Sequence, residues 1–446
     1  MATIEPRTLQ GFRDFLPETM LVRESIMDRA RALFRSFGFS PIDTPALEYL
    51  EILTGKGGEE TDRQLYRFED HGGRHVGLRF DLTVPLARYA AQHIPKLGVP
   101  FKRYHLGTVW RGERAQRGRY REFMQCDFDT IGTTSLVADT EIVIVIHELL
   151  QMIDVGSFVI RVNNRKVLNG VLAKYDLTEQ SSNVLRSLDK LPKIGRDAVA
   201  AEMCDQVGLT PDQADAVLQL ADLSGDTDAL LSQLGRIVQG SELGEAGVGE
   251  LEQLVKAAIA GGVPSQRIEL DVSIARGLDY YTGTIYETFL TDLPAIGSIC
   301  SGGRYDDLAG LYTKQKLPGV GASLGLDRLL AALEELGRLT PRRSPTQLLI
   351  AYFDKNHLHD YLQMATAVRR QGLAVELYPE PKKLKQQLKY ADRQQIPWVL
   401  IAGDREFDER TCQLKELATG ESHVLPWTPD GSGIVEFLQP RLESGP

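Results

Sequence analysis

FKRYHLGTVWRGERAQRGRYREFMQCDFDTIG, residues 101–132, is the stretch on which the fold turns. On the way out, period-two alternation puts Arg103, His105 and Arg111 on one face and Tyr104, Leu106 and Trp110 on the other. On the way back, Arg121, Phe123, Gln125, Asp127 and Asp129 share a face, and Met124, Cys126 and Phe128 share the opposite one. Between them, Gly112–Tyr120 turns the chain and adds Arg114, Arg117 and Arg119. The pattern predicts an antiparallel hairpin with one apolar, core-facing side. The other side offers guanidinium groups, an aromatic plate, an amide and two carboxylates. Such a face suits an anionic aromatic ligand beside a cationic one, because arginine forks hold phosphate bidentately and carboxylates hold an ammonium or imidazole. Taken alone, a solvated strand face with a charged turn is the commoner reading. The neighbouring segments decide.

Upstream, Met20–Phe37 carries apolar residues at helical spacing and stops at Gly38, and Ser40–Leu47 reads as extended. Val76–Gly132 is mostly period two, with Gly77–Thr83 read as a strand placing Arg79, Asp81 and Thr83 on one face. Asp139–Ile153 reads as a buried helix. Residues 166–262 are helical and poor in aromatics. From 167 to 262 they hold 7 Lys and Arg against 15 Asp and Glu, which marks an inserted helical domain. Strand chemistry resumes at Ile268 and includes RGLDYYTGTIYE, residues 276–287. Gly277 and Gly283 there suit close backbone approach to a ligand. GVGASLGLDR, residues 319–328, runs as a small-residue strand into a helix headed by Arg328. Its glycines match neither a dinucleotide fingerprint nor a Walker loop. After the linker Gly337–Pro345, strands Leu348–Tyr352, Ala374–Tyr378 and Trp398–Ala402 alternate with helices Leu358–Gln371 and Lys382–Gln394, a small α/β unit spanning 345–446.

Composition narrows the class without naming it. The apolar and charged fractions, 42% and 25%, are those of a globular protein, and no apolar run has the length of a membrane span. The opening MATIEPRTLQ has no secretory character, and four scattered cysteines form no CxxC pair. A reducing cytoplasm is therefore expected. His357 and His359 stand two apart, a poor spacing for a metal on a helix. The net charge of −10 is concentrated in the insertion, so local basic surfaces remain open elsewhere. One such surface is a stripe of Lys382, Lys385, Lys389 and Arg393, and another is the cluster Lys190, Lys193 and Arg196.

The order of these segments resembles motifs 1, 2 and 3 of the class II aminoacyl-tRNA synthetases. A helix–strand ends in Pro45, an arginine hairpin occupies Tyr104–Gly132, and a glycine–arginine strand–helix occupies Gly319–Leu336. RGLDYYTG at 276–283 and SGGRYDDL at 301–308 resemble segments specific to the histidyl-tRNA synthetase family. LRFDLTVPLARY and RGRYREFMQCDFD look like its eukaryotic-type branch. The resemblance covers roughly Gly11 to Leu336 and implies an α+β fold. It comprises an antiparallel-sheet catalytic domain, residues 1–340, interrupted by the helical insertion, plus a C-terminal α/β anticodon-binding domain.

The resemblance also implies residue roles. Arg111 would hold the α-phosphate of ATP, Phe123 would stack on adenine, Glu113 would contact the base, and Arg328 would bind the γ-phosphate. Arg276 would sit at the α-phosphate and among the histidine-binding residues. Asp81, Thr83 and Gln125 would take the α-ammonium, and Asp129 and Tyr281 would bracket the imidazole. Tyr280 and Tyr281 are not separable on sequence, since only one of two adjacent strand residues faces a pocket; Asp127 is equally ambiguous. Gln116, Arg117 and Arg119 would meet the acceptor end of tRNA(His), and Lys382, Lys385 and Lys389 would contact RNA from the tail. The expected partners are L-histidine, ATP with Mg²⁺, tRNA(His) and a second copy of the chain, with no membrane and no dedicated protein metal site. Two relatives without the ligase reaction are the alternatives: a histidine-binding regulatory paralogue of ATP phosphoribosyltransferase, and a non-catalytic tRNA-binding module.

Overall fold

The computed structural model describes residues 3–54, 62–188, 190–274 and 280–443. They form two compact units: Met1–Asp14 with Ser25–Leu339, and Phe15–Glu24 with Thr340–Pro446.

The first unit is built on an eight-stranded sheet. Its strands in chain order are β1 (Ser40–Pro41), β2 (Phe101–Trp110), β3 (Glu122–Ile131), β4 (Phe158–Asn164), β5 (Ile268–Leu270), β6 (Thr284–Leu290), β7 (Cys300–Arg304) and β8 (Gly319–Gly325). Their spatial order is β1-β2-β3-β8-β7-β6-β4-β5. The quoted hairpin is β2/β3, in register from Phe101↔Ile131 to Trp110↔Glu122, and β3 is flanked on its other edge by β8. Only the β1–β2 and β4–β5 pairs of this sheet are parallel.

The apolar face of the hairpin is core, as its alternation predicts. Phe128 packs on Phe34 with ring centroids 4.9 Å apart, and Tyr104 on the same ring at 5.6 Å. Phe34 belongs to the helix Pro17–Ser36, whose Ile26, Met27, Ala30 and Leu33 are also buried at helical spacing. Each of the larger of these side chains taken from water contributes roughly 1.5–3 kcal/mol. Helix Leu136–Ile153 covers the same side further along. It is capped by Ser135, whose Oγ accepts from Val137 N. Asp139 of that helix is ion-paired with Arg304 of β7, and Tyr286 of β6 donates to the Asp139 carbonyl at 3.0 Å, which ties helix to sheet.

Two elements differ from the sequence reading. The strand around Gly77 is His75–Leu78 and stops there, and Thr83–Leu97 is a helix. Leu82, Leu86, Ala90 and Ile94 recur every four residues and are buried, so helical periodicity overrides the short alternation before it. The Asp81 carboxylate accepts from Thr83 N (3.1 Å) and Val84 N (2.9 Å), satisfying two of the donors that a helix start leaves unpaired. Asp81 and Thr83 therefore meet at a strand-to-helix corner, not along one strand face. Likewise Tyr280 and Tyr281 precede β6, which begins at Thr284, so strand alternation does not separate them.

Between β4 and β5 lies the all-helical stretch, entered by helix Arg165–Lys174 and left by helix Glu242–Ala260. These two cross at Gly170 and Gly244, where a Cβ on Gly170 would fall 2.4 Å from the Gly244 Cα. Only glycine admits that approach.

The second unit carries a five-stranded sheet of β9 (Leu348–Ile350), β10 (Val375–Leu377), β11 (Trp398–Ile401), β12 (Thr411–Glu416) and β13 (Ser422–Pro426). The spatial order is β10-β9-β11-β12-β13, parallel across the first three and antiparallel after. The lysine-bearing helix begins at Leu384, so Lys382 lies before it. There the Lys382 carbonyl accepts from the buried Gln387 amide, and its ammonium pairs with Glu380 at 2.6 Å. Leu384, Leu388 and Ala391 pack inward as expected, leaving Lys385 and Lys389 exposed on the other face.

Candidate active site

The polar face of the hairpin is not solvated. Arg103, Asp127 and Asp129 are 0%, 2% and 2% exposed, so the reading of a solvated face with a charged turn fails on burial. Charges are buried only where something pairs them. Arg103 stands opposite Asp129 in register and reaches its carboxylate at 2.8 Å, with Asp127 at 3.8 Å. The Tyr305 hydroxyl donates to Asp129 at 2.5 Å.

The adjacent strands make room for these groups by having no side chains. Gly321 of β8 lies beside Asp129, where an added Cβ would sit 2.1 Å from the carboxylate oxygen. On β7, a Cβ on Gly303 would meet the Tyr281 ring at 3.0 Å. The rings of Tyr280 and Tyr281 pack edge to face at 5.3 Å, and Tyr280 packs on Tyr305 at 6.0 Å. Tyr280 donates to Asp81 at 3.4 Å. Both tyrosines thus pack around the acidic cluster, Tyr280 against Asp81 and Tyr305, and Tyr281 against Gly303.

Toward the turn the site opens into a cleft with about 550 Å³ of empty volume, lined among others by Arg111, Glu113, Arg119, Phe123, Gln125 and Arg328. Arg111 is held between aromatic plates, 4.2 Å from the Phe80 ring and 5.1 Å from Phe123, while its Nε donates to the Phe80 carbonyl. Arg328 donates to the Ser298 carbonyl at 2.5 Å. Asp327, beside it, accepts from Met124 N (2.7 Å) and from Arg13 (2.5 Å), which pins the N-terminal segment and the start of β3 to the helix Leu326–Glu335.

The two ends differ in sign. Burial raises the proton affinity of Asp81 and Asp129, and it pushes the Asp127 carboxyl up to about 7. Arg103 pulls Asp127 down again, and Asp129 pushes it up. At the other end burial lowers the pKa of Arg111, against the opposing pull of Asp81 and Glu113, and that of Arg328, where Arg119 adds to the burial. Among the described residues, Gln125 Oε1 and Asp127 Oδ1 are buried acceptors without a partner. Buried acceptors left open beside under-neutralised carboxylates fit a cationic ligand, and the arginines fit a polyphosphate.

Other expected residues fall as follows. Thr83 is at the helix start beside Asp81, and Gln125 donates to Ser323 Oγ at 2.8 Å. Gln116 and Arg119 close the hairpin turn through their backbones, and Arg117 pairs with Glu335 at 3.3 Å. Arg276 lies outside the described residues. The insertion's basic cluster is neutralised: Lys190 pairs with Glu202, and Arg196 with Asp215 and Asp222, while the side chain of Lys193 lies outside the described residues. His357 does approach two other potential ligands, Asp354 and Asp404, without His359. Its ring nitrogens are engaged by Asp360 (2.7 Å) and Asp404 (3.0 Å). Arg103 and Tyr305 carried no assigned role on sequence. Tyr305 was signalled by SGGRYDDL, and Arg103 only by its place on the polar face.

An antiparallel sheet whose central hairpin sets arginines and a phenylalanine beside a buried acidic cluster is the architecture of a class II aminoacyl-tRNA synthetase. The comparisons carry this to the family. Residues 11–329 match the family model "Histidyl-tRNA synthetase", and residues 347–428 match "Anticodon binding domain". The chain is 59% identical over 437 residues to a "Histidine--tRNA ligase" of Rhodopirellula baltica, covering 98% of this chain and 99% of that one. It is 44% identical to the protein of that name from Wolinella succinogenes, over 94% and 96% of the two chains. The crystal structure of histidyl-tRNA synthetase from Nostoc superposes with a TM-score of 0.88 at 36% identity, covering 98% of this chain and all of that one. The chain belongs to the histidyl-tRNA synthetase family.

Proposed function

We propose that this cleft joins histidine to ATP and then to tRNA(His), with the labour divided between its two ends. The observation that carries the reading is a cleft lined by Arg111, Phe123, Gln125 and Arg328, from which β3 runs on into the buried Asp127 and Asp129 while Arg111 feels the charge of Asp81 and Asp127. The histidine carboxylate attacks the α-phosphorus, the α–β phosphoanhydride bond breaks, and pyrophosphate leaves. The terminal ribose hydroxyl of the tRNA then attacks the carbonyl of the adenylate, and AMP leaves. The first nucleophile arrives ionised, so alignment and charge stabilisation suffice and no serine or cysteine nucleophile is needed.

Arg111 and Arg276 take the α-phosphate, Phe123 stacks on adenine, Glu113 meets its amino edge, and Arg328 takes the γ-phosphate. Glu113 and Glu287, the carboxylates whose charge Arg328 feels, are hard-oxygen donors that would hold Mg²⁺, which would supply charge neutralisation at the phosphates. Asp81, Thr83 and Gln125 receive the α-ammonium. Asp129 and Tyr281 bracket the imidazole, with Tyr280 bracing Asp81. Pairing both ring nitrogens rejects isosteres that lack them. Gln116, Arg117 and Arg119 meet the acceptor end, and Lys385 and Lys389 meet the RNA from the tail. Residues 1–340, 166–262 and 345–446 are the catalytic, inserted and anticodon-binding domains. The enzyme acts in the cytoplasm as a homodimer. No described helix is long and apolar enough to cross a membrane.

The regulatory-paralogue alternative has a structural counterpart. A Bacillus halodurans protein titled "ATP phosphoribosyltransferase regulatory subunit/histidyl-tRNA synthetase" superposes with a TM-score of 0.74 at 22% identity, which speaks to fold alone. Arg276, Arg111 and Arg328 are all present in this sequence, and the tail is too, which favours the ligase. The test is ATP–pyrophosphate exchange with each of the twenty amino acids. Exchange with histidine alone is expected; histidine binding without exchange would leave the regulatory reading standing.

A further inference from the structure

Three carboxylates, Asp81, Asp127 and Asp129, are buried close enough to feel one another, so burial and mutual repulsion both drive them toward the neutral form. A neutral carboxyl is a poor partner for an imidazole N–H or an ammonium. Something must hold at least one of them ionised and aimed. The cations beneath the site are mostly committed elsewhere. Arg79 donates to the carbonyls of Thr44 (2.6 Å) and Thr108 (2.8 Å), and His105, neutral with its pKa pushed down to about 3 by burial, faces Asp43 at 3.0 Å.

Arg103 is different. It is fully buried, pairs with Asp129 and approaches Asp127, and its Nη2 also lies 3.3 Å from the carbonyl of Leu82, the residue between Asp81 and Thr83. Because it has no exposed surface, it acts on a ligand only through these neighbours. We propose that Arg103 is a positioning residue for the amino-acid end of the site: with Tyr305 it holds Asp129 ionised and oriented, so that one fixed carboxylate oxygen meets the ring N–H of histidine. This rests on the assignment of Asp129 to the imidazole. Facing Asp129 are Arg103 from β2, Asp127 from its own strand, Asp81 from the helix corner, and Tyr281 and Tyr305; Gly321 of β8 contributes only backbone. Without the guanidinium, two carboxylates and two hydroxyls remain, and burial with the neighbouring carboxylates favours the protonated form of Asp129. Histidine binding then weakens at neutral pH and recovers as pH rises.

The test is histidine-dependent ATP–pyrophosphate exchange by the full chain between about pH 6 and pH 9, read as the ratio of variant to parent so that the titration of histidine itself cancels. Arg103→Met is expected to raise KM for histidine about 30-fold or more at neutral pH while KM for ATP stays within about twofold, and the histidine penalty shrinks toward pH 9. Arg103→Lys restores the charge and most of the affinity. Asp129→Asn raises KM for histidine at every pH. A loss that falls equally on histidine and ATP, is independent of pH, and is no smaller for Lys than for Met would overturn the proposal and make Arg103 structural. If Asp129→Asn leaves KM for histidine unchanged, the underlying assignment of Asp129 is what fails. Should Arg103→Met not melt cooperatively, Arg103→Met/Asp127→Asn, which removes a carboxylate together with the guanidinium, carries the same comparison.

Discussion

Replacing Gly321 by alanine tests the geometry of the amino-acid pocket with one methyl group. The added Cβ would lie 2.1 Å from Asp129 Oδ1, 2.3 Å from its Cγ and 2.6 Å from the Phe128 carbonyl oxygen. Ordinary contact needs about 3.4 Å or more, so the Asp129 carboxylate must move by roughly an ångström. Its bonds to Tyr305 (2.5 Å) and Arg103 (2.8 Å) have no slack to follow. Losing one charge-assisted hydrogen bond costs about 1.5–3 kcal/mol, which is roughly a 10- to 150-fold loss of histidine affinity. In ATP–pyrophosphate exchange, KM for histidine should rise by that factor while KM for ATP barely changes, since Arg111, Phe123 and Arg328 do not touch Asp129. Overpacking should also lower the melting temperature by several degrees. Gly310→Ala, with no atom within 4 Å of its would-be Cβ, is the matched control. An unchanged KM for histidine in folded Gly321→Ala would refute the placement of Asp129 at the imidazole.

Asp127 supplies a pH signature. Its folded pKa of about 7 lies above the usual aspartate value, so the native state binds more protons between about pH 4 and pH 7 and loses stability as pH rises through that window. Asp127→Asn should therefore gain on the parent toward pH 8 and converge with it near pH 4, as read by denaturant titration; a pH-independent difference would contradict this. Ser135→Ala removes the cap of helix Leu136–Ile153 and should cost about 1 kcal/mol without altering substrate constants. Lys385→Ala/Lys389→Ala changes two exposed ammonium groups, so it should leave pyrophosphate exchange intact and lower the tRNA charging rate several-fold, more strongly at low salt. Equal charging by parent and variant would remove these lysines from the RNA surface.

The central hairpin was legible in the sequence because both arms alternate over most of their ten residues, and the structure pairs them in that register. What alternation could not supply was depth. A charged strand face looks alike whether it meets solvent or a second layer, and here Arg103, Asp127 and Asp129 are sealed by β8 and by the three tyrosines arriving from distant segments. Asp81 and Thr83 were read on a strand because Gly77–Thr83 alternates. The fourfold spacing of Leu82, Leu86, Ala90 and Ile94 carried the competing helical signal. Lys190 and Arg196 read as a basic cluster because their acidic partners, Glu202, Asp215 and Asp222, are separated from them in sequence. Lys382 was one residue type too easily assigned to a stripe, since its helix starts only at Leu384.

The helical stretch between β4 and β5 has a consequence for how the chain can change. Those strands are parallel neighbours, Ile160 beside Ile268, so everything between them is topologically a single oversized crossover. Its two outer helices touch at Gly170 and Gly244, which keeps its entry and exit side by side however much lies beyond. Lengthening such a connection is cheap, about 0.6 kcal/mol for each doubling. The crossover is thus the natural place for grafting, trimming or swapping whole modules. It is also free to drift in charge, and most of the chain's acidity has collected there while the sheet it hangs from stays balanced.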